Sequence, residues 1–194
     1  MNIFLPIYLP DNAGEYDNDY NDLQFAIDTQ WDEFLKSGGG IVPPSSVYRE
    51  YLVGVGDYKY FPDAHGNIDL QAPPYDVDMV RDTLSHSGSG FSSIIKLKDL
   101  QATKEAILNG IADSFSGVDE DDVSYFYFSG HGMNYSGVSY LCPTDISYYS
   151  SLSSYISTDE LESALSAIPG TKVVILDCCH SGGFIGKQIG KEEI

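Results

Sequence analysis

Between residues 51 and 176 short apolar runs alternate with amphipathic stretches, and few architectures can absorb that pattern. The runs at 51–56 (YLVGVG), 94–97 (IIKL), 123–128 (VSYFYF) and 173–176 (VVIL) are too short for helices and rich in β-branched and aromatic residues, so they predict strands. Between them Val77, Val80 and Leu84 recur at helical spacing over 75–86, and SGSG at 87–90 closes that segment. Thr103 can cap a second helix whose face is Ile107, Leu108, Ile111 and Phe115. Ser157 and Glu160 form a capping box for a third, which runs to Ile168 and stops at Pro169-Gly170. Residues 133–156, rich in serine and tyrosine, read as a loop. Strands separated by helices predict an α/β domain with a mainly parallel sheet, whose ligands gather beyond the carboxyl ends of the strands.

The first 45 residues do not follow this pattern. Residues 11–22 are polar and acidic, and after them Leu23, Ala26, Ile27, Trp31 and Phe34 mark one amphipathic helix, ended by SGGG at 37–40 and Pro43-Pro44. The expectation is an N-terminal extension over 1–45 with one helix, packed on a main domain over 46–194. Asp17, Asp19, Asn21 and Asp28 imitate EF-hand spacing, but Asp22 occupies the place of the turn glycine and Asp28 that of the glutamate, which argues against a calcium loop. No run of residues is long and apolar enough to span a membrane. Residues 1–10 have neither a basic leader nor a small-residue cleavage site, so a cytoplasmic location is expected. A formal net charge of -19 repels phosphate backbones and makes nucleic acid a poor partner. Three cysteines, two of them adjacent, do not make a disulfide framework; each serves either packing or chemistry.

Two strand ends carry reactive side chains. YFYFSGHG at 125–132 delivers His131 just past one strand, and VILDCCHSGG at 174–183 delivers Cys179 just past another. If the strands are neighbours, imidazole and thiol meet at one rim, as nucleophilic cysteine chemistry requires. Backbone N–H groups of Gly132 and Cys179 are candidates to face a developing oxyanion. Cys178, one residue earlier, is expected to point the other way into packing, because side chains alternate along a strand. Zinc held by His131, Cys178, Cys179 and His180 is disfavoured, since adjacent cysteines on a strand end diverge.

The histidine precedes the cysteine by 179 − 131 = 48 residues, close to the ~50 of caspases. SGHG at 129–132, DCCHSG at 177–182 and VGVGDY at 53–58 together resemble the caspase-like cysteine peptidases of the metacaspase and bacterial orthocaspase group, over roughly residues 50–185. The DxCHSG motif after a buried strand is highly specific. VGVGDY alone is weak. The resemblance implies a caspase-like three-layer fold, with Cys179 as nucleophile and His131 as general base. It implies cleavage after arginine or lysine, with Asp76, Ser129 and Asp177 as the substrate-binding positions. Independently, Asp177 precedes the nucleophile by two residues, where a carboxylate can pair with a basic side chain. The chemistry needs no metal. Some relatives are activated by calcium, and Asp145, Asp159 and Glu160 resemble part of that acidic cluster, although the aspartate expected after CHSG is replaced within GGFIGK. The resemblance also implies a protein or peptide substrate and a small-subunit chain supplying the last strands, without which the strand before Cys179 would present an open edge. The competing reading is a non-catalytic interaction or regulatory subunit on the same fold. Such proteins usually lack the cysteine or the histidine, and this chain keeps both.

Overall fold

The computed structural model describes residues 2–6, 46–61, 68–86 and 91–184. Its strands are β1 (Asn2–Pro6), β2 (Tyr48–Gly54), β3 (Phe91–Lys98), β4 (Val123–Ser129), β5 (Gly132–Tyr135), β6 (Val138–Leu141), β7 (Ile156–Ser157) and β8 (Thr171–Asp177). Its helices are α1 (Pro73–His86), α2 (Lys104–Ser114) and α3 (Thr158–Ser166). Five strands form a wholly parallel sheet in the order β1-β8-β4-β2-β3, and β5-β6-β7 form a small antiparallel sheet.

Alternation along each strand sorts the core into two layers. On one face Tyr51, Val53, Phe126, Phe128, Val174 and Leu176 meet Ile107, Ile111 and Phe115 of the α2 region and Leu161 and Leu165 of α3. On the other, Leu52, Val123, Tyr125, Tyr127, Val173 and Ile175 meet Val77, Val80 and Leu84 of α1. This is the expected three-layer α/β arrangement. Both sequence-read caps are present: the Thr103 side chain accepts from Ala106 N, and Ser157 and Glu160 complete a reciprocal capping box. From β2 the chain first steps outward to β3, then crosses back to β4 on the other side of β2. The strand order therefore reverses between β2 and β4, and such a switch point is where α/β sheets bind ligands, beyond the carboxyl ends of the strands.

Three features depart from the sequence reading. The 133–156 segment is not simply a loop, because β5 and β6 form a hairpin in it. Its turn residues Ser136 and Gly137 both have positive φ (52° and 81°), the geometry that lets a two-residue turn follow the twist of a hairpin. Residues 2–6 form a strand, where only a helix was expected in the first 45; that helix, at 23–34, lies outside the described residues. Finally, β1 lies parallel on β8 from Asn2↔Lys172 to Pro6↔Leu176, so the strand before Cys179 is not left with an open edge.

Within the α1 face Glu50 is a misfit, only 1% exposed, and its Oε2 finds no hydrogen-bond partner among the described residues. Burial pushes its carboxyl up from 4.5 to about 8. Between those values the folded chain keeps a proton that the unfolded chain has released, so stability falls as pH rises, by about 1.4 kcal/mol per pH unit. Glu50→Gln removes this titration. Thermal melts should show the variant's Tm above wild type by about 10–20 °C at pH 8, with the two converging near pH 4.5.

Candidate active site

Strands β2, β4 and β8 end at one level: Gly54 pairs with Ser129, and Ser129 with Asp177. Two residues beyond Ser129 comes His131, and two beyond Asp177 comes Cys179. Equal offsets from paired positions on adjacent parallel strands bring the two stretches together. Their approach is close enough to exclude any Cβ at residue 132. A side chain there would land on the carbonyl oxygen of Cys179 and lie 3.1 Å from Cys178 Sγ, so only glycine fits.

His131 is held by its backbone and by its ring. Its N–H donates to the Tyr58 hydroxyl (2.8 Å), and its carbonyl accepts from Cys142 N (3.0 Å). The ring nitrogen Nε2 lies 2.7 Å from the carbonyl oxygen of Ile68. A carbonyl can only accept, so Nε2 carries the proton and Nδ1 keeps the lone pair that can take a proton from another group.

The thiols differ in environment. Cys142 is buried, and its thiol is pushed up to about 12 by desolvation. Cys178 packs against the core, and desolvation pushes its thiol up further still. Cys179 is exposed. The chain turns sharply here, with Ser181 N donating to Cys178 O (3.3 Å) and His180 at φ 61°, a left-handed conformation that histidine tolerates better than most residues. The turn sends Cys178 inward and leaves Cys179 at the surface, which is the divergence expected of adjacent cysteines.

Asp76, Ser129 and Asp177 lie at the α1 side of the same rim. Ser129 Oγ donates to Asp76 Oδ2 (2.8 Å), which joins the first turn of α1 to the end of β4. Asp177 is raised to about 7, mainly by desolvation and then by the negative charge of Asp76, with the Tyr127 hydroxyl acting in the opposite direction. The structure thus brings together all three positions, and two carboxyls lie near enough for each to feel the other's charge. The acidic residues compared with a calcium cluster have other partners. Asp145 Oδ1 accepts from Lys104 N at the start of α2, and Glu160 pairs with Lys104 Nζ (2.6 Å) as well as completing its capping box. Among the described residues no group of three or more His, Cys, Asp or Glu side chains is placed to hold a metal ion, and no helix is long and apolar enough to cross a membrane.

A match to the caspase domain family model extends over residues 51–193, most of the chain and all of the rim just described. The chain belongs to the caspase domain family. The family is one of cysteine peptidases whose hydrolysis needs no cofactor. Among solved structures, protein GSU0716 from Geobacter sulfurreducens is similar at 19% identity and a TM-score of 0.51, over 69% of this chain and 50% of that one. That likeness is one of fold, and this chain spans half the length of that relative. No curated protein matches it in sequence.

Sequence reasoning missed the groups that surround the imidazole. Tyr58 was visible as the last residue of VGVGDY, but nothing in that string says its hydroxyl meets His131. Ile68 acts through its backbone, which no side-chain pattern reports.

Proposed function

We propose that this caspase domain is a cysteine endopeptidase of the metacaspase type, cutting after arginine or lysine with Cys179 as nucleophile and His131 as general base. The observation that carries the reading is the paired end of β4 and β8, Ser129 opposite Asp177, with His131 and Cys179 each two residues beyond. Nδ1 of His131 takes the thiol proton and the thiolate attacks the carbonyl carbon of the scissile bond. The N–H groups of Gly132 and Cys179 hold the oxyanion. Collapse expels the amine, which takes the proton back from the imidazolium and leaves a thioester. A water molecule, deprotonated by the same nitrogen, hydrolyses the thioester and frees the thiol.

The basic preference rests on Asp177 and Asp76, two carboxyls beside the nucleophile with Ser129 between strand and helix. A guanidinium or ammonium entering there relieves their mutual repulsion and gains charge-assisted hydrogen bonds. A small-subunit segment is proposed to complete the substrate groove. Since β1 covers the edge of β8, strands from such a segment must either pair outside β1 or take its place. The test is a panel of fluorogenic peptides ending in Arg, Lys, Asp or Leu. Arg and Lys peptides should be cleaved at least about a hundredfold faster than the others. Equal rates, or preference for Asp, would remove the basic specificity from this reading.

A further inference from the structure

His131 can exchange a proton with Cys179 only while its ring is held in place. Two short segments enclose it. The first, 55–58, leaves β2 and is fastened at every step: Val55 N donates to Ser129 O (2.9 Å), Gly56 N to Asp99 Oδ1 (3.0 Å), Thr144 Oγ1 to Asp57 O (2.5 Å) and Tyr58 N to Asp69 Oδ1 (2.9 Å). The second, 68–70, runs alongside, and Leu70 N donates to Gly56 O (2.8 Å). Between them lies the imidazole. The Tyr58 ring packs against it, centroids 5.0 Å apart and tilted by 41°, while the Ile68 carbonyl takes its Nε2 proton.

Tyr58 thus grips His131 twice, by ring contact and by accepting the backbone N–H. At 2% exposure it has little room to move. Asp69 holds Tyr58 in turn, and it follows directly after the residue whose carbonyl fixes the tautomer. One movement of this unit would displace the ring face, the backbone N–H partner and the Nε2 acceptor together.

We infer that Tyr58 and Asp69 form a positioning pair for His131, aligning its Nδ1 for proton transfer from Cys179. Both act through His131, and the inference rests on the peptidase reading only for which thiol the imidazole serves. Without the Tyr58 hydroxyl a part-buried N–H loses its acceptor and the histidine backbone is free to shift, which weakens proton transfer more than substrate binding.

The test is the pH-rate profile of Cys179 alkylation by iodoacetamide, with the modified residue located by mass spectrometry, together with kcat and KM on an arginyl peptide. Tyr58→Phe should slow alkylation at pH 7 and lower kcat by about tenfold each, with KM changed by less than about twofold. Asp69→Ala should lower both in the same way by about threefold or more, and Asp69→Asn, which keeps an acceptor oxygen, should restore them. The Asp69 variants alter an exposed side chain and keep the test decisive should Tyr58→Phe not fold. Folded variants with wild-type alkylation profiles and kcat, or an Asp69→Asn no better than Asp69→Ala, would overturn the inference. If the wild type cleaved no peptide but its alkylation still depended on Tyr58 and Asp69, the positioning pair would stand and the peptidase reading would fall. If peptides were cleaved and the variants behaved as wild type, the reverse would hold.

Discussion

Cys179→Ala is expected to reduce hydrolysis of an arginyl peptide by about 10⁴-fold or more, to the background of the assay. The covalent route depends on a sulfur that can reach the substrate carbonyl, and Cys179 is the exposed thiol at the rim, whereas Cys142 is buried and Cys178 packs against the core. Neither can substitute. Desolvation raises both thiols, so little thiolate forms on either near neutral pH. His131→Ala should cost about 10²–10⁴-fold, the usual worth of a positioned proton acceptor. Cys178→Ala should stay within about threefold of wild type, because its sulfur serves packing. Initial rates on one peptide, with folding of each variant checked by circular dichroism, decide the matter. Activity that survived in Cys179→Ala and vanished in Cys178→Ala would reassign the nucleophile.

Asp177→Asn is expected to lower kcat/KM on arginyl and lysyl peptides by about 10²–10⁴-fold, since removing one partner of a buried charge pair costs about 3–5 kcal/mol. Most of that loss should fall on KM. The pH dependence has a definite sign. In the empty site Asp177 titrates near 7, raised by burial and by Asp76, so it is largely neutral at pH 6 and largely charged at pH 8. Affinity for a basic side chain should therefore rise with pH across that window, and in Asp177→Asn the dependence should flatten. Inhibition constants for a small guanidinium competitor, measured from pH 5.5 to 8.5, report this binding without involving the thiol. A wild-type constant independent of pH, or a variant with undiminished affinity, would place the recognition of basic side chains elsewhere.

How far these features could be read in the sequence depended on how local their causes are. The strands at 123–129 and 171–177 were visible because a strand buried on both faces needs an unbroken apolar run. The caps at Thr103 and Ser157 were visible because capping spans only three residues. The β5–β6 hairpin was not recognised. Its strands have only four residues each, too short to stand out in a segment rich in serine and tyrosine, and the useful signal was the Ser136-Gly137 turn. The strand β1 was missed for a different reason: five residues of mixed apolar character become a strand through pairing with residues about 170 positions later.

At the rim the division is similar. The alternation of strands and helices determined the fold class, while the motifs that end in His131 and Cys179 pointed to the proposed pair and, through the family they resemble, to Asp76, Ser129 and Asp177 as proposed substrate-binding positions. Tertiary structure decided that β4 and β8 are neighbours in register, that Nε2 of His131 faces a carbonyl, and that Tyr58 lies behind it. The physical reason is range. Propensity, capping and motif chemistry act within a few residues, whereas strand order, backbone carbonyl direction and the charge felt between Asp76 and Asp177 exist only once distant segments have packed together.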